Sequence, residues 1–374
     1  MEELRTIVID NGSSMIKSGI AGDELPRSVF PSVIGRPKYA HTVAGGQNKD
    51  FYVGDEACAK AGILLLDYPI EHGIVKNWYD MEKIWKFTFQ DEFHVDPYDS
   101  QVLLTEPIKS PKTNRERMIE IMLETFKFHS FYIALQPCLS LMTTGSNTGL
   151  VLEIGDSVSQ IGIVYESYYI PESSRRFIFS GRFLSSRMMN LLRANSKSIP
   201  ELPMFDSLII NEIKEKKAYV AIDYQAELQK SIEEIKVNHE FPDGKILPID
   251  KERFQCPEVL FNPSLENLDC EGIHQYVYNS IMSSDLTFRP LLYRNIILSG
   301  GSSMLQGFSD RMEKEIKDLA PSTIRINVIA QPERKYAVWI GGSIFASLAT
   351  FPQSAITQDE YNENGLNIVH RKCS

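Results

Sequence analysis

The chain has 374 residues, 43% of them hydrophobic and 24% charged, enough for two or three packing units with real cores. Its 49 Asp and Glu against 39 Lys and Arg give a formal charge of −10, and no Lys/Arg run stands ready to replace counterions. That excludes a general polyanion binder and leaves no expectation of direct nucleic-acid contact, while a nucleotide held by one local loop stays compatible.

The opening MEELRTIVID enters a strand-like run with no basic region before it, so no signal peptide is expected. No apolar run nears membrane-spanning length, so no membrane insertion is expected. The five cysteines (Cys58, Cys138, Cys256, Cys270, Cys373) are scattered and never form a CxxC, which reads as reduced thiols in a cytosolic or nuclear protein. Neither HExxH spacing nor a GxSxG elbow occurs, so a protein-ligated transition metal and serine-hydrolase chemistry are not expected.

Along the chain, VIDNGSSMIKSGI (residues 8–20) reads as a strand, an acid-x-Gly turn and a second strand. KYAHTVAGGQNKDFYVG (residues 38–54) reads as a surface loop with a small-residue tip at Val43–Gly46. VLEIGDSVSQIGI (residues 151–163) then repeats the first hairpin in one register: Asp10 meets Glu153, Gly12 meets Gly155, Ser14 meets Ser157 and Gly19 meets Gly162. Two ordinary hairpins would share Gly and Ser at their turns anyway. A duplicated domain would instead supply two loops of free N–H groups to clamp a polyphosphate, each with a carboxylate for a metal. A third turn of this kind lies in NIILSGGSSMLQGF (residues 295–308), and SDRMEKEIKDLA after it predicts a helix that the turn opens, with an anion-favouring N-terminus.

With these loops in view the sequence resembles the actin family over nearly its whole length. DNGSSMIKSGIAGDELPR, FPSVIGRPK, YVGDEA, YPIEHGIV, DMEKIW, LLTEP, ETF, IKEK, FPDG, CPE, GIH, LSGGSSM, PERKYAVWIGGSI and HRKC stand in actin order. The stretches ANSKSIPELPMFDS and FPQSAITQDEYNENG are distant, so the resemblance is to a divergent actin or an actin-related protein. It implies an α/β fold of the actin/Hsp70/sugar-kinase ATPase type, with two duplicated α/β domains around a nucleotide cleft. The outer, small domain would take residues 1–143 and 336–374 with an inserted subdomain at 32–68; the inner, large domain would take 144–335 with an insertion at 180–270.

The resemblance also implies a site for ATP or ADP with Mg2+. Gly12, Ser13, Ser14 and Lys17 would hold the β- and γ-phosphates, and Gly155, Asp156, Ser157 and Val158 would form the opposing clamp, with Ser157 in place of the family's glycine. Without that context Lys17 reads as a solvated strand lysine and Lys214-Glu215 as a helix-surface pair. Asp10 and Asp156 would approach the Mg2+ mostly through water. The base would lie among Gly181, Arg182, Lys214, Glu215, Gly300, Gly301, Ser302, Met304 and Lys335, with Leu305 where the family carries an aromatic residue. For hydrolysis, Gln136 is retained, with Pro137 in a helix's first turn. Glu153 replaces an Asp and Gln160 a His in the set that positions the attacking water. Glu displaces the carboxylate by one methylene and Gln cannot accept a proton, so phosphate binding is expected to outlast cleavage.

The function expected is that of an ATP-binding cytoskeletal protein, a subunit of a filament or of a larger actin-related assembly, in the cytoplasm. Its partners would be other actin-family subunits (itself or conventional actin) and actin-binding-type proteins. A sugar-kinase-like phosphotransferase, or an actin-fold subunit of a nuclear chromatin complex, is the alternative. Glu266-Asn267 at the tip of the family's apolar plug, Ser354, Ala355 and Ser374 at its C-terminal groove, and only Glu2 and Glu3 at its acidic N-terminus depart from filament-forming actins. His72 matches a histidine that many actins methylate.

Overall fold

A computed structural model describes residues 4–38, 49–195, 207–241 and 244–373. The Val43–Gly46 loop tip, Glu2, Glu3, Ser374 and the Pro242-Asp243 pair of FPDG therefore lie outside the described residues. The chain divides into two compact units, residues 1–147 with 166–171 and 336–374, and residues 148–165 with 172–335. Among the described residues no helix is long and apolar enough to cross a membrane.

The first unit is built on a six-stranded sheet in the order Ile356–Thr357, Ser130–Leu135, Ser100–Glu106, Arg5–Asn11, Met15–Ile20, Ser28–Pro31. Strand Arg5–Asn11 runs parallel to Ser100–Glu106 and antiparallel to Met15–Ile20. Every residue of Ser100–Glu106 is buried, as befits a central strand covered on both faces. Strand alternation sorts the core into two layers: Ile7, Ile9, Val102, Leu104 and Phe131 pack in one cluster, Val8, Leu103 and Ala134 in another. The second layer is closed by helix Ala337–Ala346, whose Trp339 indole donates to the carbonyl of Val8 at 3.0 Å. A smaller three-stranded sheet (Ile34–Pro37, Tyr52–Val53, Leu64–Asp67) has its own apolar cluster of Val33, Tyr52, Ala57 and Leu64.

The second unit is built on a five-stranded sheet in the order Tyr168–Phe177, Ser159–Tyr165, Gly149–Ile154, Ile296–Ser299, Val328–Ile329. Strand Gly149–Ile154 is antiparallel to Ser159–Tyr165 and parallel to Ile296–Ser299, the same pairing that Arg5–Asn11 makes in the first unit. The likeness extends to single positions. Asp10 stands opposite Lys17, and Glu153 stands opposite Gln160. A Cβ on Gly12 would meet the Met15 carbonyl at 2.3 Å, and one on Gly155 would meet the Val158 carbonyl at 2.9 Å, so both turns close too tightly for a side chain.

At the end of Ser100–Glu106, Glu106 is 1% exposed and one carboxylate oxygen accepts from Arg115, while the other has no hydrogen-bond partner. Burial outweighs the arginine and pushes the carboxyl up to about 7 from 4.5. A carboxyl whose pKa is raised on folding stabilises the folded chain most below pH 4.5 and loses that contribution as pH rises through about 7. The loss amounts to about 3 kcal/mol. Melting of wild type and Glu106→Gln, compared from pH 4 to 8, should show the wild type losing ground over that range.

Candidate functional site

In the first unit the hairpin carries a buried carboxylate. Asp10, 2% exposed, sits at the last turn of the strand before Gly12, and both of its oxygens are engaged. Lys17 Nζ donates to one at 2.6 Å; the Thr105 hydroxyl donates to the other at 2.7 Å, with Gln136 Nε2 more distant at 3.4 Å. The register places these groups: Lys17 is the cross-strand partner of Asp10, and Ile9 pairs with Leu104, which brings Thr105 alongside. Gln136 opens helix Gln136–Met142 directly after a strand, with Pro137 in the first turn where its missing N–H costs nothing. Ser13 accepts from the Gly73 amide at 3.2 Å, and the Ser14 carbonyl accepts from the Ser32 amide at 2.8 Å, so the loop is braced on both sides.

In the second unit the loop Gly155–Val158 is held by two other segments. The Gly181 and Arg182 amides donate to the carbonyls of Gly155 and Asp156 at 2.8 and 2.7 Å, and Ser302 Oγ donates to Gly155 O at 3.3 Å. Arg182 also pairs with the Asp156 carboxylate at 3.1 Å. Glu153 and Gln160 are both buried, and Gln160 Nε2 donates to Glu153 Oε2 at 2.9 Å. Lys214 is buried with its ammonium on neutral acceptors, Gly181 O at 3.1 Å and Ser185 Oγ at 2.9 Å. Burial lowers its pKa, with Glu215 and Asp156 opposing. Ser157 is buried and Val158 half-buried, while Glu215 and Lys335 are exposed.

The third turn differs from expectation. Gly300 has φ +86, and a Cβ there would strike the Ile154 carbonyl at 2.5 Å, so only glycine fits. A Cβ on Gly301 would meet nothing within 4 Å. The turn opens a short 3-10 segment, Gly301–Met304, and the long helix Phe308–Leu319 starts only after Gly307. Its N-terminus is therefore not at the Gly300-Gly301 turn, because Gly307 takes the left-handed conformation and packs against the Val220 carbonyl. Met304 is 37% exposed and Leu305 is buried.

The actin family model, described as Actin, matches residues 1–374. The chain belongs to the actin family. Its α/β architecture is that of the actin/Hsp70 ATPase fold. Actin-family proteins generally bind ATP or ADP with Mg2+. The groups of this actin-family chain suit such a ligand: the first hairpin brings one ammonium, Lys17, against one buried carboxylate, Asp10. An ammonium suits a phosphate oxygen, and a single carboxylate suits a Mg2+ that keeps most of its water.

Thr105, which donates to Asp10, escaped the sequence reading, and Ser299, in register with Glu153, figured there only as the start of the Gly300-Gly301 turn. Each is a polar residue in an apolar strand, in LLTEP and IILSGG, and that contrast is the signal that could have singled them out. The plug's polar tip has a partner that the sequence does not show. Glu266 ends a 3-10 turn, Pro263–Glu266, and pairs with Arg187, so its charge is compensated inside its own unit.

Proposed function

We propose that this chain is a Mg-ATP-binding, actin-type cytoskeletal protein of the cytoplasm that cleaves ATP slowly. What carries the reading is the repeated ladder pair, Asp10 with Lys17 and Glu153 with Gln160, at matched positions of two hairpins. Lys17 and the N–H groups around Gly12–Ser14 would take phosphate oxygens from one loop, and Gly155–Val158 from the other. Asp10 and Asp156 would face the hydrated Mg2+, which supplies charge neutralisation at the phosphates when bound. The base would be received by Gly181, Arg182, Lys214, Glu215, Gly300–Ser302, Met304 and Lys335. Arg182 is already committed to Asp156, which favours a role in orienting that carboxylate.

The same geometry supports slow cleavage. Gln136 would orient the attacking water, and Glu153 is the carboxylate available to take its proton. Yet Gln160 commits an amide N–H to Glu153, and an amide, which does not titrate, cannot take a proton from water and relay it onward. As a subunit, the protein would join other actin-family subunits or actin-binding-type proteins. The Arg187–Glu266 pair keeps the plug segment engaged on its own unit and disfavours self-polymerisation.

Three measurements check this reading. Mg-ATP added to nucleotide-free protein should raise its melting temperature, by linkage worth about 4 kcal/mol at a thousandfold excess over Kd, and Lys17→Ala should reduce the shift. No shift in the wild type would sink the reading. Glu153→Asp with Gln160→His should accelerate single-turnover phosphate release beyond the product of the separate gains, at nearly constant ATP affinity, because both act on one water. A wild type that already cleaves as fast as conventional actin, in the same assembly state, would remove the premise. In salt that polymerises conventional actin the wild type should stay in the supernatant; pelleted filaments seen by microscopy would show that Glu266 does not restrain assembly.

A further inference from the structure

The two units solve one problem in parallel, and the solution in the first unit identifies a residue in the second. In the first, a buried acid at the hairpin's end is flanked on both sides along the sheet. Its antiparallel neighbour Lys17 donates to one oxygen, and Thr105, on the parallel neighbour, donates to the other at 2.7 Å. In the second unit the antiparallel neighbour Gln160 donates to Glu153 Oε2 at 2.9 Å. The parallel neighbour in register with Glu153 is Ser299, fully buried. Paired residues on adjacent strands share a face about 4.8 Å apart, close enough for a hydroxyl to serve a glutamate.

We infer that Ser299 is the positioning residue for Glu153, fixing its carboxylate and favouring its charged form, as Thr105 does for Asp10. The need is greater in the second unit. Lys17 offsets the charge of Asp10, whereas Gln160 is neutral and offsets nothing. Both ladder partners of Glu153 are uncharged. Charged groups on the adjoining segments include Asp156 and Arg182, which pair with each other, Lys214, which donates to Gly181 and Ser185, and Arg334, whose carbonyl accepts from Gly300 and whose guanidinium donates to the Ser303 carbonyl. Hydrogen-bond donors to a buried carboxylate favour its charged form over its neutral one.

The carboxyl of Glu153 can be titrated directly, by infrared difference spectroscopy of protein labelled with 13C-carboxylate glutamate, its band assigned by subtracting Glu153→Gln. Ser299→Ala should raise the titration midpoint by about one pH unit, and Ser299→Thr should restore it. Ser299→Cys, nearly isosteric with a weak donor, should show the same rise and serves if the alanine chain does not fold. An unchanged midpoint in the alanine or cysteine chain overturns the inference. Its catalytic consequence rests on the ATP-cleaving reading: Ser299→Ala should slow phosphate release about tenfold at constant ATP affinity, with the acid limb of the pH profile moved up. A wild type that does not cleave ATP would refute that reading alone, since the titration still decides the role of Ser299.

Discussion

A buried carboxylate at the end of a hairpin strand is the constraint around which each unit is arranged. Removing a charge from water costs several kcal/mol unless donors replace the lost solvation. Asp10 recovers that cost from Lys17 and Thr105, one on each neighbouring strand, so the sheet register and the charge are mutually dependent. A one-residue slip of Met15–Ile20 would turn Lys17 to the other face and strand the acid. The tight glycine turn at Gly12 sets that register, and Gly155 does the same in the second unit.

Chemistry and stability pull differently on the two copies. In the first the donor is an ammonium, which neutralises its acid and can also attract a phosphate oxygen. In the second it is an amide, which orients the acid while leaving its charge intact. Backbone amides of Gly181 and Arg182 hold the loop Gly155–Val158 from outside its hairpin.

Farther from the hairpins, charges that look exposed or misplaced in the sequence are neutralised by local partners. Glu266 finds Arg187, and buried Arg311 takes both oxygens of Glu258 while holding Glu315. Such pairs add little net stability against apolar packing, but removing one partner leaves an uncompensated charge. They therefore restrict which arrangements these segments adopt.

The strand–turn–strand units, their apolar alternation and the acid-x-Gly turns were legible in the sequence because they rest on local rules: alternation follows the pleat, and Gly is what a closed turn admits. Membership of the family was legible too, since long motifs such as PERKYAVWIGGSI survive intact. What joins Asp10 to Thr105, Glu153 to Ser299, or Glu266 to Arg187 was not, because each pair is separated by scores of residues and meets only through sheet register or helix packing. The helix expected at Gly300-Gly301 was displaced to Phe308 for a similar reason. Charge and apolar spacing mark a helix's body, while its first residue is set by how Gly307 packs on the Val220 carbonyl. Local sequence determined which residues could carry the chemistry; long-range packing decided which of them meet, because a hydrogen bond depends on distances that only the assembled sheet defines.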